Sequence, residues 1–187
     1  MSDAIKTLGP LAPLVGSWEG AKGNDVAPSD DRGTETNSFR ERICFQALSP
    51  VQNHEQILGA LRYSTTAWRL GESDPFHEEV GYWLWDAARN ELMRSFMVPR
   101  GVVILAGGTV EPQAKTFSLV AELGSPTYGI CSNRFLHDEF RTVRYELVVR
   151  VDVNLFHYEE DTQLQIKGQK ELFHHRDSNT LARIVAS

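Results

Sequence analysis

The sequence predicts an all-β protein: an antiparallel, up-and-down β-barrel of about ten strands, of the lipocalin and fatty-acid-binding-protein type, entered through a short N-terminal helical turn. Three observations predict it. Apolar and polar residues alternate with a period of two over long stretches, which no helix would arrange. Glycine, proline, asparagine or aspartate separates most of these stretches, as in Gly71–Pro75, Pro99–Gly101 and Gly124–Pro126. No alternation of strand and helix signals a doubly wound sheet.

The first element, Ala4 to Val15, is broken by Gly9, Pro10 and Pro13, so it can hold a helical turn or two and serve as a plug or lid. Gly16-Ser17-Trp18-Glu19-Gly20 then opens the barrel, which spans residues 14–184. Here Trp18 is a large plug where the first strand bends around the floor, and the glycines allow close backbone approach. Asn24-Asp25-Val26-Ala27-Pro28 follows, and then a polar loop through Gly33. Strands follow at Phe39–Phe45, Gln56–Trp68, His77–Trp85, Leu92–Val98, Val102–Val110, Phe117–Leu123 and Ile130–Leu136. The clearest is Val143–Val153, where Val143, Tyr145, Leu147, Val149, Val151 and Val153 share one face. After turn chemistry at Asp152-Val153-Asn154, the next strand sets Phe156, Tyr158, Leu164 and Ile166 on one face. A barrel of about ten strands is wider than its side chains fill, so an internal cavity is expected.

The 187 residues suit one domain, 1–187, with 41% hydrophobic and 24% charged residues. A net charge of −6 argues against a nucleic-acid binder, which needs a basic face. No apolar run approaches the ~20 residues of a membrane span, and Met1-Ser2-Asp3-Ala4-Ile5-Lys6 lacks the form of a signal peptide. Cys44 and Cys131 lie in apolar, strand-like surroundings and read as two buried thiols in a reducing cytoplasm. The expected location is therefore cytoplasmic, and the expected partner a small molecule in the barrel cavity. A homodimer is compatible with all of this.

Two further clusters carry chemistry. In Phe76-His77-Glu78-Glu79-Val80-Gly81-Tyr82-Trp83-Leu84-Trp85, an extended strand puts His77, Glu79, Gly81, Trp83 and Trp85 on one face. If that face looks inward, a titratable nitrogen hangs over an aromatic space; taken alone, His77 reads as a surface residue beside a turn. In Phe173-His174-His175-Arg176-Asp177, only one of the two histidines can point inward. Neutral imidazole is a good axial ligand for haem iron, and Asp177, on the face of His175, could orient it. Without a partner group, the same segment reads as a polar terminal strand. Glu78 and Glu79 point to opposite faces and cannot act as a hydrolytic carboxylate pair.

Taken together, Leu14-Val15-Gly16-Ser17-Trp18-Glu19-Gly20, Phe76-His77-Glu78-Glu79-Val80-Gly81-Tyr82, and Gly168-Gln169 followed by the terminal histidines resemble the nitrobindin-like haem-binding β-barrel family, in a bacterial side branch. The resemblance runs from Leu11 to Ile184. It implies haem b at the barrel mouth, a last-strand histidine on the iron, and nitric oxide binding or conversion of peroxynitrite to nitrate, a peroxynitrite-isomerase-like activity. The iron ligand falls on His175 by its spacing to Asp177 and Thr180-Leu181, or on His174 counted from Gly168-Gln169. The distal histidine falls on His77, and Phe76 and Trp83 join the cofactor-binding residues. The alternative is a haem-free carrier of a fatty acid or other small lipophile, with Trp83 or Trp85 in the wall and Arg100 or Arg141 as its cation. An enzyme using the pocket histidines as acid and base is a third reading.

Overall fold

Period-two alternation becomes strand after strand in a computed structural model that describes residues 3–185. Met1, Ser2, Ala186 and Ser187, part of the expected 1–187 domain, lie outside the described residues. The strands are β1 (Gly16–Pro28), β2 (Thr34–Ala47), β3 (Val51–Asn53), β4 (Gln56–Arg69), β5 (His77–Asp86) and β6 (Glu91–Val98). They continue as β7 (Val102–Thr109), β8 (Thr116–Leu123), β9 (Gly129–Ser132), β10 (Phe140–Val151), β11 (Leu155–Ile166) and β12 (Phe173–Arg183). Two short helices, α1 (Asp3–Lys6) and α2 (Arg134–Glu139), and a 3-10 helix, Gly9–Leu14, complete the fold.

The ring closes because β2 pairs with both β1 and β4, while β12 pairs with β1 and β11, so first and last strands meet. Strands β7 and β8 touch directly only at Gly107↔Val120 and then diverge; β9 fills the gap, antiparallel to β7 and parallel to β8. That wedge is why the barrel has eleven strands and is mixed, where about ten antiparallel ones were expected.

Parity sets what is inside. Phe39, Ile43 and Phe45 of β2, Tyr145, Leu147, Val149 and Val151 of β10, and Phe156, Tyr158 and Leu164 of β11 are all buried. A bulge between Thr142 and Arg144 shifts the register of β10, so Thr142 rather than Val143 is buried there. At the other end Val153 lies past the strand, 69% exposed in the turn.

The floor is sealed as expected. Leu8, Leu11 and Leu14 are fully buried, each contributing about 1.5–3 kcal/mol by burial. The Trp18 Nε1 donates to the Leu14 carbonyl at 2.8 Å, tying strand to plug. The Arg183 guanidinium lies 4.2 Å over the Trp18 ring. Gly59 of β4 lets the plug seat, because a Cβ there would stand 2.2 Å from the Thr7 carbonyl oxygen.

The polar loop through Gly33 joins β1, which runs to Pro28, to β2, which begins at Thr34. Asp25 and Ala27 of β1 line the cavity. Two expectations are corrected. The expected strand Ile130–Leu136 stops at Ser132, where the Asn133 side chain accepts from the Leu136 N–H at 3.0 Å and starts α2. Cys44 and Cys131 are exposed, not buried: each takes the outward parity beside buried Ile43, Phe45 and Ile130. Among the described residues, no helix is long and apolar enough to cross a membrane.

Candidate functional site

The barrel encloses a chamber of about 590 Å³, open at the end opposite the plug. That volume lies within the range of pockets for drug-sized ligands. Phe76, His77, Trp83 and His175 all line it. His174 does not; it is exposed, with its Nδ1 2.7 Å from Asp161 Oδ2. The alternation along β12 therefore resolves which terminal histidine faces in. It also corrects the reading of His77 as a surface residue, since β5 turns His77, Glu79 and Trp83 to the chamber.

The His175 ring is held by a carboxylate, but not by Asp177. Its Nε2 lies 2.8 Å from Asp25 Oδ1, on the neighbouring strand β1. The Asp25 side chain is nearly buried, whereas the imidazole is 35% exposed at the mouth. Asp177 shares the chamber face, as parity predicts, and burial together with the neighbouring Glu160, Glu41 and Asp25 raises its carboxyl well above the ordinary 3.8.

Below the mouth sits a polar network centred on Arg94. Its guanidinium donates to Glu79 and Glu160 and to the Tyr145 hydroxyl, and its Nε donates to the Tyr63 hydroxyl at 3.0 Å. Tyr63 in turn donates to Glu79 at 2.8 Å and Tyr145 to Glu160 at 2.9 Å. Burial would lift the Glu79 carboxyl, but the charge of Arg94 wins and holds it below the ordinary 4.5. Its other oxygen is 3.7 Å from the Nε2 of His77. Burial pulls His77 down, yet the neighbouring Glu79 carboxylate outweighs this and raises it above 6.5. A second carboxylate, Glu41, accepts from Thr65 and Tyr158 at 2.8 Å each and from Asn179 at 3.2 Å. Burial raises its carboxyl despite these three donors.

Sequence reasoning missed Glu41, Glu79, Arg94 and Glu160 as a group. The signal was there: each occupies the apolar parity of its strand, Glu41 with Ile43, Arg94 with Phe96, Glu160 with Tyr158. A charged residue on the buried face of a strand is costly unless paired, and so marks a polar interior. Of the two cations expected to greet a fatty acid, Arg100 lines the chamber from its exposed rim, whereas Arg141 is not in the lining and its Nε donates to the His137 carbonyl at 2.9 Å.

The rim itself is strapped. Arg32 in the β1–β2 turn pairs with Glu139 of α2 at 2.7 Å, Lys167 reaches the same carboxylate at 2.6 Å, and Gln169 donates to the Arg32 carbonyl at 2.7 Å.

The residues present fit a haem. The His175–Asp25 pair has the form of a metal-binding imidazole steadied by a carboxylate. Aromatic walls at Phe39, Phe76 and Phe96 offer flat apolar contact. Comparison with known proteins agrees with that chemistry. Residues 7–183 match the family described as THAP4-like, heme-binding beta-barrel domain. The chain is also similar to the crystal structure of Rv2717c from M. tuberculosis, with a TM-score of 0.67, 20% identity and 99% of each chain covered; at that identity the likeness concerns the fold. No curated protein matches the chain.

Proposed function

Because the chain belongs to the THAP4-like, haem-binding β-barrel family, we propose that it binds haem b through His175 and handles nitric oxide or peroxynitrite there. One observation carries the assignment of the ligand: on the last strand, His175 alone turns an imidazole into the chamber, and Asp25 holds that ring. When bound, haem would supply the iron that takes up such small ligands, its reactivity tuned by the imidazole of His175 that would hold it.

The protein's own part follows from its side chains. Asp25 fixes the orientation of the His175 ring and favours electron density on its free nitrogen. His77, kept cationic to higher pH by Glu79, would offer an N–H within the same chamber, which favours an anion such as peroxynitrite. Arg94 anchors Glu79, so His77 stands on a fixed carboxylate rather than a mobile one. The aromatic wall and strapped rim limit water, which strengthens each of these interactions. A cytoplasmic location belongs to the same reading, supported by the two free, exposed thiols. So does a homodimer: Val80, Met97 and Val103, neighbours across β5, β6 and β7, form an exposed apolar stripe.

Hemin titrated into the purified protein is expected to give a Soret band that saturates at one equivalent. His175→Ala abolishes the band and His174→Ala keeps it. A band unchanged in His175→Ala, or none in the wild type, defeats the assignment.

A further inference from the structure

One face of the outer wall carries no charge. The chain has 24% charged residues and a net charge of −6, yet outward positions 80, 82 and 84 of β5, 93, 95 and 97 of β6, and 103 and 105 of β7 are all uncharged. The pairings Ser64↔Val80, Val80↔Met97 and Met97↔Val103 set a continuous row across β4 to β7. Val80, Met97 and Val103 are 58%, 50% and 46% exposed, and Tyr82 beside them is 45% exposed. Single exposed apolar residues are ordinary, whereas a contiguous set marks an interaction surface.

Two opposite charges flank this row on opposite sides. Arg62 of β4 lies two residues to one side, across from Tyr82, and Glu78 of β5 lies two residues to the other, across from Thr66. Neither has an ionic partner among the described residues; Arg62 donates only to the Gln46 side chain. Beside Glu78 the wall is notched. A hollow of about 280 Å³ opens between Ser64, Thr66, Glu78, Val80, Met97 and Pro99. Its floor suits the methylene stem of an arginine and its carboxylate suits the head. The row separates the chain's own Arg62 from this notch.

We propose that a second copy of this chain docks on this face, across a two-fold axis lying along the row from Ser64 to Val103. Rotation about that line reverses the strand direction and lays each residue of the row over its own counterpart. It also carries the Arg62 of each protomer over the Thr66–Glu78 pair of the other, so each arginine enters a notch and meets a carboxylate. The face is therefore self-complementary, as a two-fold interface must be. Two acidic molecules repel over most of their surface, and this uncharged strip with its matched ends is where they can meet. Strand spacing and rise give about 400 Å² of flat sheet per copy, at the small end for a specific interface, so a micromolar dissociation constant is expected. The inference rests on the homodimer of the proposed function, names its face and contacts, and is independent of haem.

Sedimentation of the full chain from about 1 to about 100 μM tests it. The wild type is expected to pass from monomer to dimer across that range. Val80→Lys and Met97→Lys should each weaken the dimer at least about tenfold, because each buries a charge at the centre of the contact. Arg62→Glu and Glu78→Arg should each weaken it by about tenfold, and the double swap should restore it to within about threefold of the wild type. A dimer indifferent to Val80→Lys and Met97→Lys overturns the proposed face alone. A double swap no tighter than either single variant overturns the two-fold arrangement. A wild type that stays monomeric overturns the proposal and the homodimer together. In that case binding of the monomer to phosphatidylcholine vesicles, lost in Met97→Lys, would make a lipid surface the occupant instead. The charge-swap variants all lie on the exposed wall, so their comparison stands even if a lysine at the centre impairs folding. None of these outcomes touches the haem assignment, which the Soret titration of His175→Ala reads separately.

Discussion

Arg94 shows how a single side chain holds a barrel interior together. Its guanidinium is buried with Glu79 and Glu160, and the pair energies exceed desolvation only while all three remain. Arg94→Leu removes the cation that two buried carboxylates share and leaves them only tyrosine donors and the edge of His77, so the urea midpoint should fall by the equivalent of about 3–5 kcal/mol. Glu41 works in the opposite sense. Its carboxyl is raised by burial, so the folded state keeps a proton that the unfolded chain releases near 4.5. The stabilisation from that proton is full below the unfolded value and is lost as pH rises toward the folded one. Thermal melts of the wild type should therefore lose stability across that rise relative to Glu41→Gln, whose dependence on pH is flatter; equal slopes would contradict this. These residues were legible as anomalies of parity, charged where the pattern demanded apolar. Their partners were not, because a period-two pattern reports which face a residue takes and not which strand curls round to meet it.

At the scale of elements, the plug and the wedge are the two departures from a plain ring of strands. The plug could be read from its prolines and leucines, and Trp18 from its glycine frame, because local chemistry dictates both. Its seat at Gly59 could not, since the approach of Thr7 to β4 is made only when the barrel is closed. Gly59→Ala puts a methyl group against the backbone, so the plug must shift. The expected cost is about 1–3 kcal/mol, seen as a lower melting temperature together with faster amide exchange at Leu11. Unchanged exchange there would mean that the strand, not the plug, yields. The wedge β9 was misread as the start of a longer strand running to Leu136. The apolar residues Ile130 and Leu136 lie on both sides of the break, and only the Asn133 cap separates a strand from a helical turn.

At the scale of the molecule, the all-β class followed from alternation, whereas the full closure of the ring and the inner parity of the histidines did not. Adjacent His174 and His175 are equivalent to a pattern reader; the pairing of β12 with β1, which brings Asp25 to His175, makes them different. The same closure leaves a container with a sealed floor and one doorway, and the rim strap makes that doorway ionic. Exposed ion pairs are worth little and are screened by salt. The barrel's hydrogen-bonded wall is not. Raising salt from about 0.05 M to about 1 M should thus speed amide exchange at His137 of α2 while leaving Leu147 of β10 protected. Exchange rising equally at both would show the whole wall loosening. If only the rim responds, admission to the chamber is metered by the ionic strength of the surroundings, and the protein acts as a vessel whose cap loosens in brine while its walls stay tight.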